Sequence, residues 1–556
     1  MWRRLEARLR DARGAFAANF RSRDLRRAQL SFAGAWSSEW ALTVGLAIVA
    51  FRDGGATAVG LVALVRMLPA AAGGAFLATL ADRVRRERAI VAIGVVRFGA
   101  LGFAAVLVAT GAPTIPVYAL AVIATIAGTP YRAAHSALLP SLCRTPAELT
   151  SANAVRGMLD SLSTLLGPLV AAILLELSTP AAVFAAAGAA SLWSAALVWR
   201  LDYESPPRPA VPARSNVLRD AREGLRTIAA DRDLARLIGL AVSQTFTRGA
   251  LNVLTVVVAL ELLHMGEAGV GVLSGAVGAG ALLGSLGASL LVGSRSLARW
   301  FGLSIALWGL PLVLLGAIPT QLAALLLLSV IGVGNALLDV AGFSLIARLV
   351  PDEVLARVFG IFESLVAVSI GVGSVVTPLT VDALGARGAL VALGSVCPTL
   401  AILSWARLRS LDRAMGIRDE ELDLLQEVPM LRPLPVPVME HLGRHLVSMR
   451  ISAGRAVFEQ GDAGDRFYVI AAGEADVIGD GALIRTLGEG ESFGEIALLR
   501  NIPRTTEVRA RTNLELYALE RDIFVPAVSG YRPSAANAEA VVGSLLTTFR
   551  PRGLAI

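Results

Sequence analysis

Arg83-Val84-Arg85-Arg86-Glu87-Arg88, an apolar run over 89–110, the turn Gly111-Ala112-Pro113-Thr114-Ile115-Pro116, a second apolar run over 114–138 and then Arg144 decide the architecture. Each run holds roughly 20 residues, the length that crosses ~30 Å of hydrocarbon as a helix. The connection before the pair carries four arginines and the turn within it carries none. Arginine collects on the cytoplasmic side of a membrane, so this asymmetry also orients the hairpin.

The same pattern extends in both directions. Apolar runs lie near 28–51, 56–81, 89–110, 114–138, 153–177, 180–201, 235–262, 268–293, 298–317, 320–347, 356–382 and 386–408. Arg-rich connections (83–88, Arg144, 208–232, Arg295 with Arg299, Arg348) alternate with Arg-poor ones (111–116, 176–180, 262–269, 318–321), Arg52 and Arg387 being the exceptions. The expectation is an all-α polytopic membrane bundle of twelve transmembrane helices with both termini in the cytoplasm. Composition agrees. Of 556 residues, 55% are apolar and 17% charged, with a mean hydropathy of +0.64, whereas a soluble chain is about one quarter charged. A wholly soluble enzyme is excluded.

The net charge of +7 would point to nucleic acid in a soluble protein; in a bilayer it sets topology, and no nucleic-acid partner is expected. All 51 basic residues are arginine, which reads as the codon bias of a GC-rich genome and leads to the expectation of a bacterial inner membrane. Cys143 and Cys397 form no CxxC, and His135, His264, His441 and His445 are scattered. No disulfide framework, metal site or cofactor is expected. Over 1–27, Trp2, Leu5, Leu9, Phe16 and Phe20 fall within an arc of about 80° among arginines, as in a basic amphipathic helix lying on the membrane surface.

The chain also repeats itself. Asp24-Leu25-x-Arg27 recurs as Asp233-Leu234-x-Arg236, and Pro146-x-Glu148-Leu149 as Pro351-x-Glu353-Val354. The halves are placed at 28–201 and 235–408, joined by a cytoplasmic linker over 202–234. Two six-helix halves in parallel repeat, with the substrate path between them, are a transporter arrangement. The loop Ala78-Thr79-Leu80-Ala81-Asp82-Arg83-Val84-Arg85-Arg86-Glu87-Arg88 resembles the signature loop of the major facilitator superfamily. Arg85, Pro69, Ala137-Leu138-Leu139-Pro140 and Ala152-Asn153-Ala154 resemble its macrolide-efflux-like branch. The resemblance spans about 25–408 and implies a secondary transporter, with small amphiphilic molecules and proton antiport as the family-level expectation. Asp82, Arg83 and Arg86 are the expected gating residues, Asp82 facing Arg83 or the start of the eleventh span.

Ionisable residues inside apolar spans are costly and read as functional. Glu39 and Arg66 lie at depths that differ by only about 3 Å at ~1.5 Å rise per residue, so a buried pair is expected. Farther in lie Arg132, Arg156, Asp160, Arg248, Asp339 and Glu363, with Arg156 and Asp160 spaced i,i+4. Glu39 and Asp160 make the first half the candidate for proton coupling; a purely structural ion-pair network is the alternative.

After a linker over 409–428, residues 429–556 turn polar and strand-like, with alternation at Ala456–Glu459, Phe467–Ile470, Ala475–Ile478 and Leu514–Tyr517 and helical patterns at Val436–Leu446 and Ala535–Phe549. A cytosolic β-barrel or jelly roll flanked by helices is expected. Gly490-Glu491-Ser492-Phe493-Gly494-Glu495-Ile496-Ala497-Leu498-Leu499 runs on to Pro503-Arg504-Thr505. With Gly461-Asp462-x-Gly464-Asp465 and Gly473-Glu474, it resembles the phosphate-binding cassette of cyclic-nucleotide-binding domains. The resemblance implies cAMP or cGMP as regulatory ligand, held by Phe493, Gly494, Glu495, Ile496, Ala497, Arg504 and Thr505. Glu495 would accept the ribose hydroxyl, while Arg504 would pair with the cyclic phosphate and Thr505 add a hydroxyl. Thr506 and Glu507 stand where that family has Ala and a small residue. The whole reads as an exporter under nucleotide control and not an enzyme. The alternatives are a transporter-like sensor or scaffold without transport, and a constitutive exporter with a ligand-free barrel.

Overall fold

The computed structural model describes residues 21–82, 84–143, 146–201, 217–288, 296–350, 352–434 and 436–548. The expectation for the N-terminal amphipathic helix falls almost wholly outside them, as do Arg83 and the first half of the 202–234 linker. The chain divides into two compact units, Met1–Leu411 and Asp412–Ile556.

The first unit is helical. Its helices are α1 (Arg23–Asp82), α2 (Arg86–Ala109), α3 (Thr114–Gly128), α4 (Tyr131–Leu142), α5 (Pro146–Leu177), α6 (Pro180–Val198), α7 (Val217–Ala230), α8 (Arg232–Val257, closed by a π turn at Val258–Leu262), α9 (Gly266–Ala288), α10 (Leu297–Ala317), α11 (Gln321–Leu349) and α12 (Asp352–Glu427). Among the described residues, ten helical segments are long and apolar enough to cross a membrane. Two are double-length. α1 breaks at Gly54 and Gly55, where φ of Gly55 is 62°, and α12 breaks at Gly385 with φ of 70°. Glycine takes this left-handed backbone without the steric cost a Cβ would bring. A straight α1 would reach ~90 Å at 1.5 Å per residue, three times the hydrocarbon thickness, so the break divides it into two crossings' worth of helix.

Two details differ from the sequence expectation. The run 114–138 is split between α3 and α4 around Thr129-Pro130, because proline lacks the N–H that would continue the ladder and its ring crowds the preceding turn. The second half of the 202–234 linker is helical as α7, whose apolar side places Ile228 in a cluster with Leu234, Ile238, Ile346, Val350 and Val358. Asp231 then caps α8, its carboxylate accepting from the backbone N–H groups of Asp233 and Leu234 at 2.8 and 3.1 Å.

The halves meet along glycine seams at the end of the bundle remote from the Arg-rich loops. A Cβ on Gly271 of α9 would stand 2.5 Å from the Pro168 carbonyl of α5, and one on Gly60 of α1 would strike the Ser374 carbonyl of α12. Arg52 closes the same end, donating to Glu267 at the start of α9 through Nε at 2.5 Å and Nη2 at 2.8 Å.

The second unit is a two-sheet barrel with helices α13 (Val436–Arg444), α14 (Glu495–Arg500), α15 (Arg521–Ser529) and α16 (Arg532–Thr548). Its strands are β1 (Val447–Ile451), β2 (Ala456–Phe458), β3 (Arg466–Ala472), β4 (Ala475–Gly479), β5 (Ala482–Leu487), β6 (Ser492–Phe493), β7 (Glu507–Ala510) and β8 (Leu514–Glu520). Two antiparallel sheets in the orders β1-β8-β3-β6 and β2-β7-β4-β5 enclose Tyr468, Ile470, Leu487, Phe493, Val508 and Leu516. A second core gathers Leu425, Val428, Leu431, Phe467, Leu519, Phe524 and Ala538. Residues 409–427 are therefore helix, and the end of that helix is part of this core. Ser534 and Asn537 of α16 donate to the carbonyls of Met430 and Pro429 at 2.5 and 3.1 Å, tying the last helix to the first segment of the unit.

Candidate functional site

The cassette is built around a turn only glycine accommodates. Gly494 follows β6 with φ of 91°, and a Cβ there would stand 2.7 Å from Nη1 of Arg504. The chain then turns into α14, which begins at Glu495, ends at Arg500 and is capped by Asn501, left-handed at φ 54°. Arg504 is fixed from both directions. Its backbone N–H donates to the Asp462 carbonyl at 2.8 Å and its carbonyl accepts from the Gly461 N–H at 2.9 Å. The upstream Gly461-Asp462-x-Gly464-Asp465 motif is thus the loop that holds the cassette arginine.

The side chain of Arg504 is 1% exposed. Nη1 donates to the Gly494 carbonyl at 3.0 Å, and Nη2 donates to the Arg466 carbonyl at 2.7 Å and to Asp465 at 3.1 Å. Its carbon lies 4.2 Å from the Phe458 ring centre and 5.7 Å from that of Tyr468, a cation–π setting. Its Nε has no partner, and neither has Oε2 of the buried Glu495. Burial pushes the Glu495 carboxyl up to about 7, against the opposing pull of its own backbone N–H, Arg485 and Arg504. Burial likewise raises the Tyr468 hydroxyl. Leaving such groups buried without partners costs ~1–3 kcal/mol each, a cost that a ligand bearing a phosphate and a hydroxyl removes.

Phe493 and Ala497 are buried, with Phe493 stacked on Tyr468 at 5.1 Å, while Ile496 and Thr505 are half-buried. Sequence reasoning missed Asp465 as a partner of Arg504, and the Phe458 and Tyr468 rings. An acid and two aromatics inside a Gly-punctuated strand region were the available signal.

In the membrane unit, Glu39 is held between two guanidiniums. Oε1 accepts from Arg66, and Oε2 accepts from Nη1 of Arg97 at 2.7 Å. Arg66 also donates to Thr125 at 2.6 Å, and Arg97 donates to the Ala124 carbonyl at 3.2 Å. Arg97 was overlooked in the sequence, although it is the single charged residue within the run 89–110. Asp160 pairs with Arg132 at 3.1 Å, whereas Arg156, its i,i+4 neighbour, donates to Ser136. Asn335 donates to Asp339 at 3.2 Å. Arg86 donates to the Ala137 carbonyl at 2.5 Å and to Ser141 at 3.0 Å, joining the start of α2 to α4. Arg83 and the side chain of Asp82 lie outside what the structure describes.

Comparison with known proteins agrees with both units. The family model described as Major Facilitator Superfamily matches residues 30–296 and 237–450, and that described as Cyclic nucleotide-binding domain matches 448–531. Over 102 residues, 18% of its length, the chain is 40% identical to the "cAMP-dependent protein kinase regulatory subunit" of Yarrowia lipolytica. Over 119 residues, 21% of its length, it is 34% identical to the "cGMP-dependent protein kinase egl-4" of Caenorhabditis elegans. The chain spans only 27% and 15% of these relatives' own lengths. Among solved structures, the regulatory domain of Toxoplasma gondii PKA with cAMP is 25% identical over 24% of this chain and 51% of its own, with a TM-score of 0.21. A bundle matched over most of its length and a barrel matched over residues 448–531 leave one assignment: the chain belongs to the Major Facilitator Superfamily and carries a C-terminal cyclic nucleotide-binding domain.

Proposed function

We propose that this protein is a secondary active exporter of small amphiphilic molecules whose flux is set by cAMP or cGMP bound to its C-terminal domain. Twelve crossings, with both termini in the cytoplasm of a bacterial inner membrane, put the barrel where cytosolic nucleotide reaches it. The observation that carries the reading is the buried pair of unsatisfied groups, Nε of Arg504 and Oε2 of Glu495, on either side of the Gly494 turn. A cyclic nucleotide supplies an anion for the first and a ribose hydroxyl for the second. Displacing Asp465 from Arg504 frees one further donor, on Nη2, for the phosphate. The relatives named for cAMP and for cGMP support a site of this class without choosing the purine.

Calorimetry of the full-length protein with each nucleotide tests the site. Binding by wild type is expected, and Arg504→Ala should weaken it ~100-fold or more, since it removes a charge-assisted contact to phosphate. Equal affinity in wild type and variant would remove the assignment.

A further inference from the structure

At the Arg-rich end of the second half, α8 starts beside residues 400–411 of α12, and Leu237, Leu240, Ser404 and Leu408 line a shallow groove between them. One carboxylate at its rim serves two guanidiniums. Asp233 Oδ1 accepts from Nε of Arg407 at 2.8 Å and from Nη1 of Arg236 at 3.2 Å, and Oδ2 accepts from Nη2 of Arg407 at 3.2 Å. About half of each arginine side chain stays exposed. Asp231, the other acid beside the groove, is committed to the backbone N–H groups of Asp233 and Leu234. Arg232 and Arg409 add to the positive side, Arg409 lying over the Trp405 ring at 5.7 Å. A Cβ on Gly302 of α10 would stand 2.6 Å from Leu408 and 3.3 Å from Trp405, so Arg299, one turn earlier on α10, ends at the same level. Arginine thus outnumbers acid here by five to two. One turn deeper on α12, Ile402 and Leu403 are 73% and 75% exposed.

The first half shows the same motif without this surplus. Asp24-Leu25-x-Arg27 repeats Asp233-Leu234-x-Arg236, but Arg27 donates to the Leu197 and Trp199 carbonyls at the end of α6, at 2.7 and 2.6 Å, and pairs with Asp24 at 3.6 Å.

We propose that the α8–α12 groove holds an anionic phospholipid, its phosphodiester on Arg236 and Arg407 and its acyl chains along Ile402 and Leu403. The shared carboxylate sets two guanidiniums side by side, so a phosphodiester takes their outward N–H donors without breaking the Asp233 contacts. Basic pockets between membrane helices recognise anionic headgroups in this way, and an indole at the interface is a common companion. A zwitterionic headgroup brings its own cation to a site already rich in cations and gains less. A soluble phosphodiester meets the arginines but leaves the apolar turn uncovered. The inference rests on insertion of the bundle in a membrane and not on transport or nucleotide binding.

Native mass spectrometry of the full-length protein in detergent tests this with three probes: dioleoyl phosphatidylglycerol, dioleoyl phosphatidylcholine and the deacylated headgroup glycerophosphoglycerol. Phosphatidylglycerol is expected to bind about tenfold tighter than phosphatidylcholine, and the deacylated headgroup more weakly than either lipid. Arg236→Gln combined with Arg407→Gln should abolish the preference, whereas Arg27→Gln, at the matching place in the first half, should keep it. A phosphatidylglycerol with a photoreactive group on its acyl chain should label residues 400–411 of the wild-type protein. Equal affinity for the two lipids, a deacylated headgroup that binds as tightly as the lipid, a preference that survives the double substitution, or labelling that avoids 400–411 would overturn the proposal. Where the double variant fails to fold, the wild-type ranking and the labelled residues decide.

Discussion

At Glu495 one buried carboxyl makes the nucleotide domain sensitive to pH. Its pKa stands near 7 in the folded chain against 4.5 as the ordinary value. Between those limits the folded state holds a proton that the unfolded state has released, so stability falls as pH rises through the window. The slope approaches ~1.4 kcal/mol per pH unit where this group alone differs. The protection factors of the β3 and β7 amides, taken against intrinsic exchange at each pH, should fall between pH 5 and pH 7 in the full-length protein, and Glu495→Gln should flatten that dependence. Glu39 presents the opposite situation. Two guanidiniums surround one carboxylate, so Glu39→Gln leaves two buried cations without an anion. The expected cost is ~3–5 kcal/mol, seen as a lower melting temperature and less inserted protein, whereas Arg97→Gln leaves the Glu39–Arg66 pair and should cost less. A Glu39→Gln variant that inserts and melts like wild type would instead return this residue to the role of proton carrier. The Glu39–Arg66 pair was legible from depth alone. The two-to-one stoichiometry was not, because depth does not say which face of α2 carries Arg97.

The glycine-seamed end is the element whose movement alternating access requires. The bidentate Arg52–Glu267 bridge spans the two halves there, beside the Gly54–Gly55 break in α1. Arg52→Glu should place two carboxylates together and loosen that end, and adding Glu267→Arg should restore it. Accessibility of a cysteine introduced at Ala56 to an impermeant thiol reagent, in a background lacking Cys143 and Cys397, reads the difference. The single variant is expected to label several-fold faster than wild type, and the double to return to the wild-type rate. Unchanged labelling in the single variant would show that the glycine packing alone holds the end shut. Elements of this kind were unevenly visible in the sequence. Long apolar runs declare themselves, and the Pro130 split was implicit in a residue that cannot continue a helix. α7 was missed because its Arg-rich polar face resembles a solvated linker. β5 was missed because it is mostly exposed and shows little alternation, and β6 because it spans two residues, whereas β1 (Val447-Ser448-Met449-Arg450-Ile451) and β7 (Glu507-Val508-Arg509-Ala510) do alternate and were overlooked.

In the whole molecule one helix, α12, continues past Leu411 to Glu427, into the unit that carries the cyclic nucleotide-binding domain. α12 runs through Glu427, its last residues share a core with Phe467 and Phe524, and α16 is tied to Pro429 and Met430. If nucleotide binding rearranges α16, the change acts on Pro429 and Met430, just beyond the end of α12. Nucleotide biases transport only if it binds one transport state better than the other. A preference of ~1.4 kcal/mol changes the ratio of states tenfold, and the transported molecule must then change nucleotide affinity by the same factor. That the chain holds two modules was plain from its change of composition near 409. The helical path between them was not, since a charged stretch such as Asp419-Glu420-Glu421 reads equally as a solvated linker.

The most direct measurement is efflux from proteoliposomes of the full-length protein, with and without saturating cAMP or cGMP, for wild type and Arg504→Ala side by side. The account predicts a several-fold change in wild-type flux on nucleotide addition and none in the variant, with equal flux of the two proteins in its absence. Wild-type flux that ignores nucleotide while calorimetry shows the nucleotide bound would contradict it.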